Sequence, residues 1–186
     1  MLTSISPLGE RARGNRWAVT VTAYVVASVL GGLTIGGALG YAGSFFHESA
    51  WAAVALCAVA AVLDALRRLP SVRRQVDEDW LTRYRGWVYG VGYGYQLGLG
   101  VVTIVTSAAT YAALALCLLS GSAAVGLAIG GWFGLVRAVP ILLLRGATTP
   151  DRLRAVGARL ERLSAGAGRA TTAVLAAAAV ALAVTA

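Results

Sequence analysis

Stretches of about 20 apolar residues with arginines at their ends decide what this chain can fold into, because one helix needs about that many to cross a bilayer. Trp17 to Phe46, Trp51 to Leu66, Trp87 to Leu119 and Ala123 to Leu144 meet or approach that length. Ala170 to Ala186, alanine-rich and more weakly apolar, is a fifth. With 58% apolar residues against 13% charged ones, the chain lies outside the range of ordinary soluble domains. The expected class is an all-α integral membrane protein with about five transmembrane helices. They form a single transmembrane domain, residues 17–186, with spans at about 17–46, 51–66, 87–119, 123–144 and 170–186. Residues 1–16, with Pro7, Gly9 and Gly14 among polar neighbours, are expected to be a short flexible cytoplasmic tail.

The formal charge of +8 comes entirely from arginine, with no lysine, and the arginines cluster at span ends. That is a topology pattern and not a nucleic-acid one. Under the positive-inside rule, Arg11, Arg13 and Arg16 place the N-terminus in the cytoplasm, and the connection holding His47 and Glu48 belongs outside. The connection with Arg67, Arg68, Arg73, Arg74, Arg83 and Arg85 is inside, Ser120 to Ser122 outside, and the one with Arg145 to Arg169 inside again. The expectation is a multi-pass plasma (inner) membrane protein with its C-terminus outside. The first apolar run, about 30 residues long, is too long for the core of a secretory signal and is expected to be retained.

Within the connections, Pro70 ends a helix and Ser71 caps the next. Oppositely charged pairs four residues apart, from Arg73, Arg74 and Asp79 to Asp77, Glu78 and Arg83, support that next helix. Thr149 before Pro150 is a helix-start pattern. Leu153, Val156, Leu160 and Leu163 then share one face, opposite Arg152, Arg159 and Arg162, which predicts an interfacial amphipathic helix.

Glycine is the second organising feature. "RGWVYGVGYGYQLGLGVV", residues 85–102, carries Gly86, Gly90, Gly94 and Gly98 at every fourth position. Each would cost a soluble helix roughly 1 kcal/mol relative to alanine, whereas in lipid small residues at this spacing let another helix approach closely. Elsewhere the pattern G-L-x-I-G-G-x-x-G occurs twice, at 32–40 and at 126–134, with Gly32, Gly36 and Gly40 matching Gly126, Gly130 and Gly134. In the expected topology the two copies are antiparallel, which is how many transporters are built, with the working site at the repeat interface. Resemblance by composition alone is the alternative. The 87–119 stretch would be about 50 Å long as one helix, against a hydrocarbon core of about 30 Å, so it is either steeply tilted or broken near Gly98 and Gly100.

No cluster of metal ligands, phosphate loop or serine elbow is present, so neither a cofactor nor soluble-type catalysis is expected. Candidate functional residues are those a membrane makes costly. Gln96, Gly98 and Thr103 stand beside the expected break and are candidates for a solute path. Arg137, deep in the fourth span with Pro140 after it, is a candidate anion-attracting group and a candidate ion-pair partner for Asp64, which also has Arg67 and Arg68 within reach. Cys57 and Cys117 fall in the outer part of the membrane and are read either as a possible redox pair or as packing residues.

"GWVYGVGYGYQLGLGVV" followed by "GWFGLVRAVPILLL" resembles one half of the polytopic thiol-disulfide interchange family that includes the cytochrome c biogenesis membrane proteins, over residues 85–144. The resemblance implies inverted three-helix repeats. That family carries a membrane-embedded cysteine beside proline in each broken helix. Here the matching stretch holds Tyr93, Tyr95 and Gln96 instead, which points to the family's small-solute-exporting fold relatives. The leading expectation is a small-solute transporter or permease-like module. The alternatives are a non-catalytic membrane subunit that docks a partner membrane protein or self-associates as a homo-oligomer through its glycine faces, and a thiol-linked electron conduit.

Overall fold

The computed structural model describes residues 5–45, 50–66, 79–100 and 108–185. Among them every regular element is helical: α1 (Pro7–Ala12), α2 (Trp17–Gly43), α3 (Ala50–Ala65), α4 (Trp80–Arg83), α5 (Gly86–Leu99), α6 (Ala108–Leu119), α7 (Ala123–Ala138), a 3-10 segment (Val139–Gly146) and α8 (Pro150–Thr185). His47, Glu48, Arg67, Arg68, Arg73, Arg74, Asp77, Glu78 and Thr103 lie outside the described residues.

Three helices are long and apolar enough to cross a membrane: Trp17–Gly43, Ala123–Gly146 and Pro150–Ala181. Trp51–Ala65 and Ala108–Leu119 are apolar but shorter. Five full spans were expected, and the difference has local causes. The 87–119 stretch is not one helix. It stops at Leu99, where Gly100 takes a left-handed φ of 73°, and a second helix is described from Ala108 to Leu119. The first of these is about 20 Å long, short of the hydrocarbon thickness. The fourth span changes from α to 3-10 geometry at Val139, next to Pro140, whose missing N–H removes an α-helical hydrogen bond. The expected interfacial helix and fifth span are one continuous helix, α8, because nothing between Arg162 and Ala170 breaks it: Gly166 and Gly168 weaken a helix without ending it.

The core is a three-helix stack of backbones. Methyl groups added at Gly32, Gly36 and Gly40 would overlap the carbonyl oxygens of Gly130, Gly126 and Ser122 in turn, so α2 and α7 pack antiparallel through the two glycine repeats. On another face of α2, methyls at Gly90, Gly94 and Gly98 would run into the carbonyls of Thr20, Tyr24 and Ser28, so α5 lies parallel to α2. Close approach of this kind replaces the hydrophobic driving force that lipid does not supply. The outer faces carry half-exposed Val26, Leu30, Val136 and Leu143, which suit acyl chains. α3 packs on α6 and α8, and α6 runs along the C-terminal half of α2, where a methyl at Gly43 would overlap the Leu118 carbonyl.

Residues 5–16 are not a trailing tail. Ile5 and Glu10 are fully buried, and Ile5 joins Val21, Tyr24, Tyr89, Tyr93 and Ile141 in the larger apolar cluster. Ser6 accepts a hydrogen bond from the Gly9 N–H and Pro7 follows it, a helix-start pattern that nucleates α1.

Candidate functional site

Two polar clusters stand out in this apolar bundle. The first surrounds the break between α5 and α6. Arg137, on α7 one turn beyond Gly134, sets its guanidinium 5.2 Å from the Phe133 ring centre and donates to Thr110 Oγ1 at 3.4 Å. The same Phe133 ring closes on Gly100, where an added methyl would sit 3.0 Å from a ring carbon. Asp64 approaches the first turn of α6 from α3. One carboxylate oxygen accepts the Ala108 N–H at 2.9 Å, and the other accepts the Thr172 hydroxyl of α8 at 3.1 Å. The carboxylate thereby supplies the Ala108 N–H with an acceptor.

Asp64 and Arg137 therefore reach the same turn of α6 but do not pair with each other. The expected intramembrane ion pair is not formed among the described residues: Asp64 is engaged by the Ala108 N–H and the Thr172 hydroxyl instead. Gln96 is half-buried on α5. Gly98, a proposed path-lining position, is filled on its open side by the Ser28 carbonyl. Ser28 is itself fully buried and donates its hydroxyl to the Gly134 carbonyl at 2.8 Å, which locks α2, α5 and α7 at one point. Cys57 and Cys117 are buried free thiols, and the Cys117 thiol points to the Gly126 carbonyl at 3.8 Å.

The second cluster closes the end of the bundle where the N-terminus lies. The Glu10 carboxylate is fully buried and accepts from Tyr89 at 2.5 Å, Thr20 at 2.9 Å and Arg13 at 2.6 Å. Asn15 donates to the Tyr89 oxygen at 3.2 Å and accepts the Gly86 N–H at 3.3 Å. Burial opposes the charge on Arg13, and the hydrogen bonds and charges of Glu10 and Tyr89 outweigh it, so the guanidinium is held above its usual range. A methyl at Gly86 would overlap the Thr20 hydroxyl and press on Glu10, so the first glycine of the every-fourth series makes room for this carboxylate. Sequence reasoning missed the cluster. Ser6-Pro7 with an acid three residues after the proline is the pattern that could have marked α1 as a helix start, in place of the flexible tail expected there.

No family model and no solved structure matches the chain. It is similar to the methylamine utilization protein MauF of Paracoccus versutus, 32% identical over 187 residues, covering 92% of this chain and 68% of that protein. MauF of Paracoccus denitrificans is 33% identical over 152 residues, covering 75% of this chain and 55% of that protein. MauF of Methylophilus methylotrophus is 30% identical over 152 residues, covering 75% of this chain and 53% of that protein. The chain thus spans about half the length of most of these curated relatives. The resemblance to thiol-disulfide interchange proteins gains no support from them.

Proposed function

This chain belongs to the MauF family of methylamine utilization proteins, and from that premise we propose that it is a membrane-embedded accessory subunit of a methylamine utilization system, acting by docking a partner membrane protein rather than by moving a solute. The observation that carries this reading is the filled repeat interface. A transporter of inverted-repeat type keeps its site open between the repeats, whereas here Gly32, Gly36, Gly126 and Gly130 bring backbone against backbone. Gly98 is pressed on Ser28 in the same way. The two polar clusters support the reading as well, since Asp64 and Glu10 spend their charges on helix ends and on neighbouring helices.

The test is growth. Deleting the gene in a methylamine-using host should abolish growth on methylamine and leave growth on another carbon source unchanged. Reintroduced wild type and Gln96→Ala should both restore it. Unimpaired growth of the deletion strain on methylamine would overturn the reading.

A further inference from the structure

Trp132 occupies a place where tryptophan is out of character. On α7, Gly126, Gly130 and Gly134 face α2, so Trp132 projects from the opposite side, where it is 67% exposed. Val125, Ala128, Val136 and Val139 share that outward face. Trp132 lies about 15 Å along the helix from Ser122 at one end of the span and roughly 20 Å from Arg145 at the other. Gly130 packs on Gly32 and Gly134 on Ser28, which sets it level with the middle of α2. Tryptophan in membrane proteins is enriched at the two interfaces, where its N–H reaches polar groups. The exposed aromatics Tyr41, Phe45 and Trp51 at one end of the bundle and Tyr84 and Trp87 at the other fit that habit. Trp132 does not.

Its indole N–H has no acceptor among the described residues. At mid-bilayer neither water nor a lipid headgroup can supply one, and an unmet donor in hydrocarbon costs several kcal/mol. We propose that the outward face of α7 around Trp132 is the docking surface for a transmembrane helix of another protein, one that carries a side-chain hydrogen-bond acceptor at mid-membrane depth opposite the indole. A second copy of this chain does not meet the need through the same face. Val125, Ala128, Val136 and Val139 offer no side-chain acceptor, so a two-fold pairing would leave both indoles unmet. Ala128, one turn from Trp132, leaves room for the incoming backbone. The proposal rests on the docking reading above and gives it a place and a chemistry.

The experiment places the photo-crosslinker p-benzoylphenylalanine at position 136 of the full chain, one turn from Trp132 on the same face, so that the indole is kept, in membranes of the host grown on methylamine, with position 26 as an exposed control. The expected result is an adduct at 136, absent at 26, to one discrete polypeptide other than this chain. Its crosslinked peptide should be a transmembrane segment with a Ser, Thr, Asn, Gln, Tyr, Asp or Glu at its centre. Trp132→Phe, which keeps the ring and loses the N–H, should then lower recovery of that identified polypeptide with the protein in mild detergent by roughly three- to thirty-fold while leaving the melting temperature unchanged. Adducts to lipid or to a second copy only, or undiminished recovery with Trp132→Phe, would overturn the proposal. If the deletion strain also fails to grow on methylamine, lipid-only adducts overturn this docking face and leave the functional reading standing. Normal growth overturns the functional reading, and a protein adduct would still uphold the docking face.

Discussion

The hydroxyl of Ser28 donates to the carbonyl of Gly134 at 2.8 Å, while the carbonyl of Ser28 faces the bare Cα of Gly98. One residue thus joins the antiparallel helix α7 and the parallel helix α5 to α2. Losing the bond should matter less than losing the space. Ser28→Ala should cost about 0.6–2 kcal/mol, the range of interhelical hydrogen bonds in membranes, and Gly98→Leu should prevent the three helices from meeting. Thermal melting in detergent distinguishes a small shift from a loss of the folded protein.

Gly130→Ala and Gly168→Ala are the same chemical change with opposite expected outcomes. At Gly130 the new methyl would overlap the Gly32 carbonyl, while at Gly168 nothing lies within 4 Å. The first should lower the melting temperature and the second raise it slightly, alanine being favoured in a helix by about 1 kcal/mol. If the two shifts have the same sign, the glycine faces do not carry the packing.

Arg13→Leu should destabilise the protein by about 3–5 kcal/mol, because it strands the fully buried Glu10 carboxylate. Adding Glu10→Gln should return part of that loss, since the amide can still accept from Tyr89 or Thr20. Chemical denaturation of the two single variants and the double measures the coupling. Strict additivity would mean that α1 is not held by this pair.

Arg137→Leu and Asp64→Asn should behave independently. Their partners differ, Thr110 for one and Ala108 with Thr172 for the other. Asp64→Asn is therefore expected to add its own loss to that of Arg137→Leu, and a rescue in the double variant would show that the two charges meet after all.

The glycine series shows how much of this was legible in the sequence. Spacing identified the faces of 32–40, 86–98 and 126–134, because a small residue every fourth position has few uses in lipid other than close approach, and the arginine distribution gave the antiparallel relation of 32–40 and 126–134. What lies opposite a glycine is not written in its spacing, so an open path at Gly98 and a filled one look alike. Asp64 was singled out as a group that a membrane makes costly, but its partners are a backbone N–H on α6 and a hydroxyl on α8, and the sequence carries no mark for that N–H donor. Glu10 was lost for a different reason. In a short arginine-rich segment it reads as solvated, and only the docking of α1 onto Thr20 and Tyr89 turns it into a buried group. The continuity of α8 was missed because the change from arginine-rich to alanine-rich composition near Arg169 resembles a boundary, although no residue there breaks a helix.

The central claim, that a closed glycine core serves methylamine utilization without carrying solute, is tested most directly by the initial rate at which labelled methylamine enters cells of a deletion strain. The strain should take up methylamine at the wild-type rate while failing to grow on it. A severalfold loss of uptake, restored by the wild-type protein but not by Gln96→Ala, would contradict the account and return the protein to the transporters.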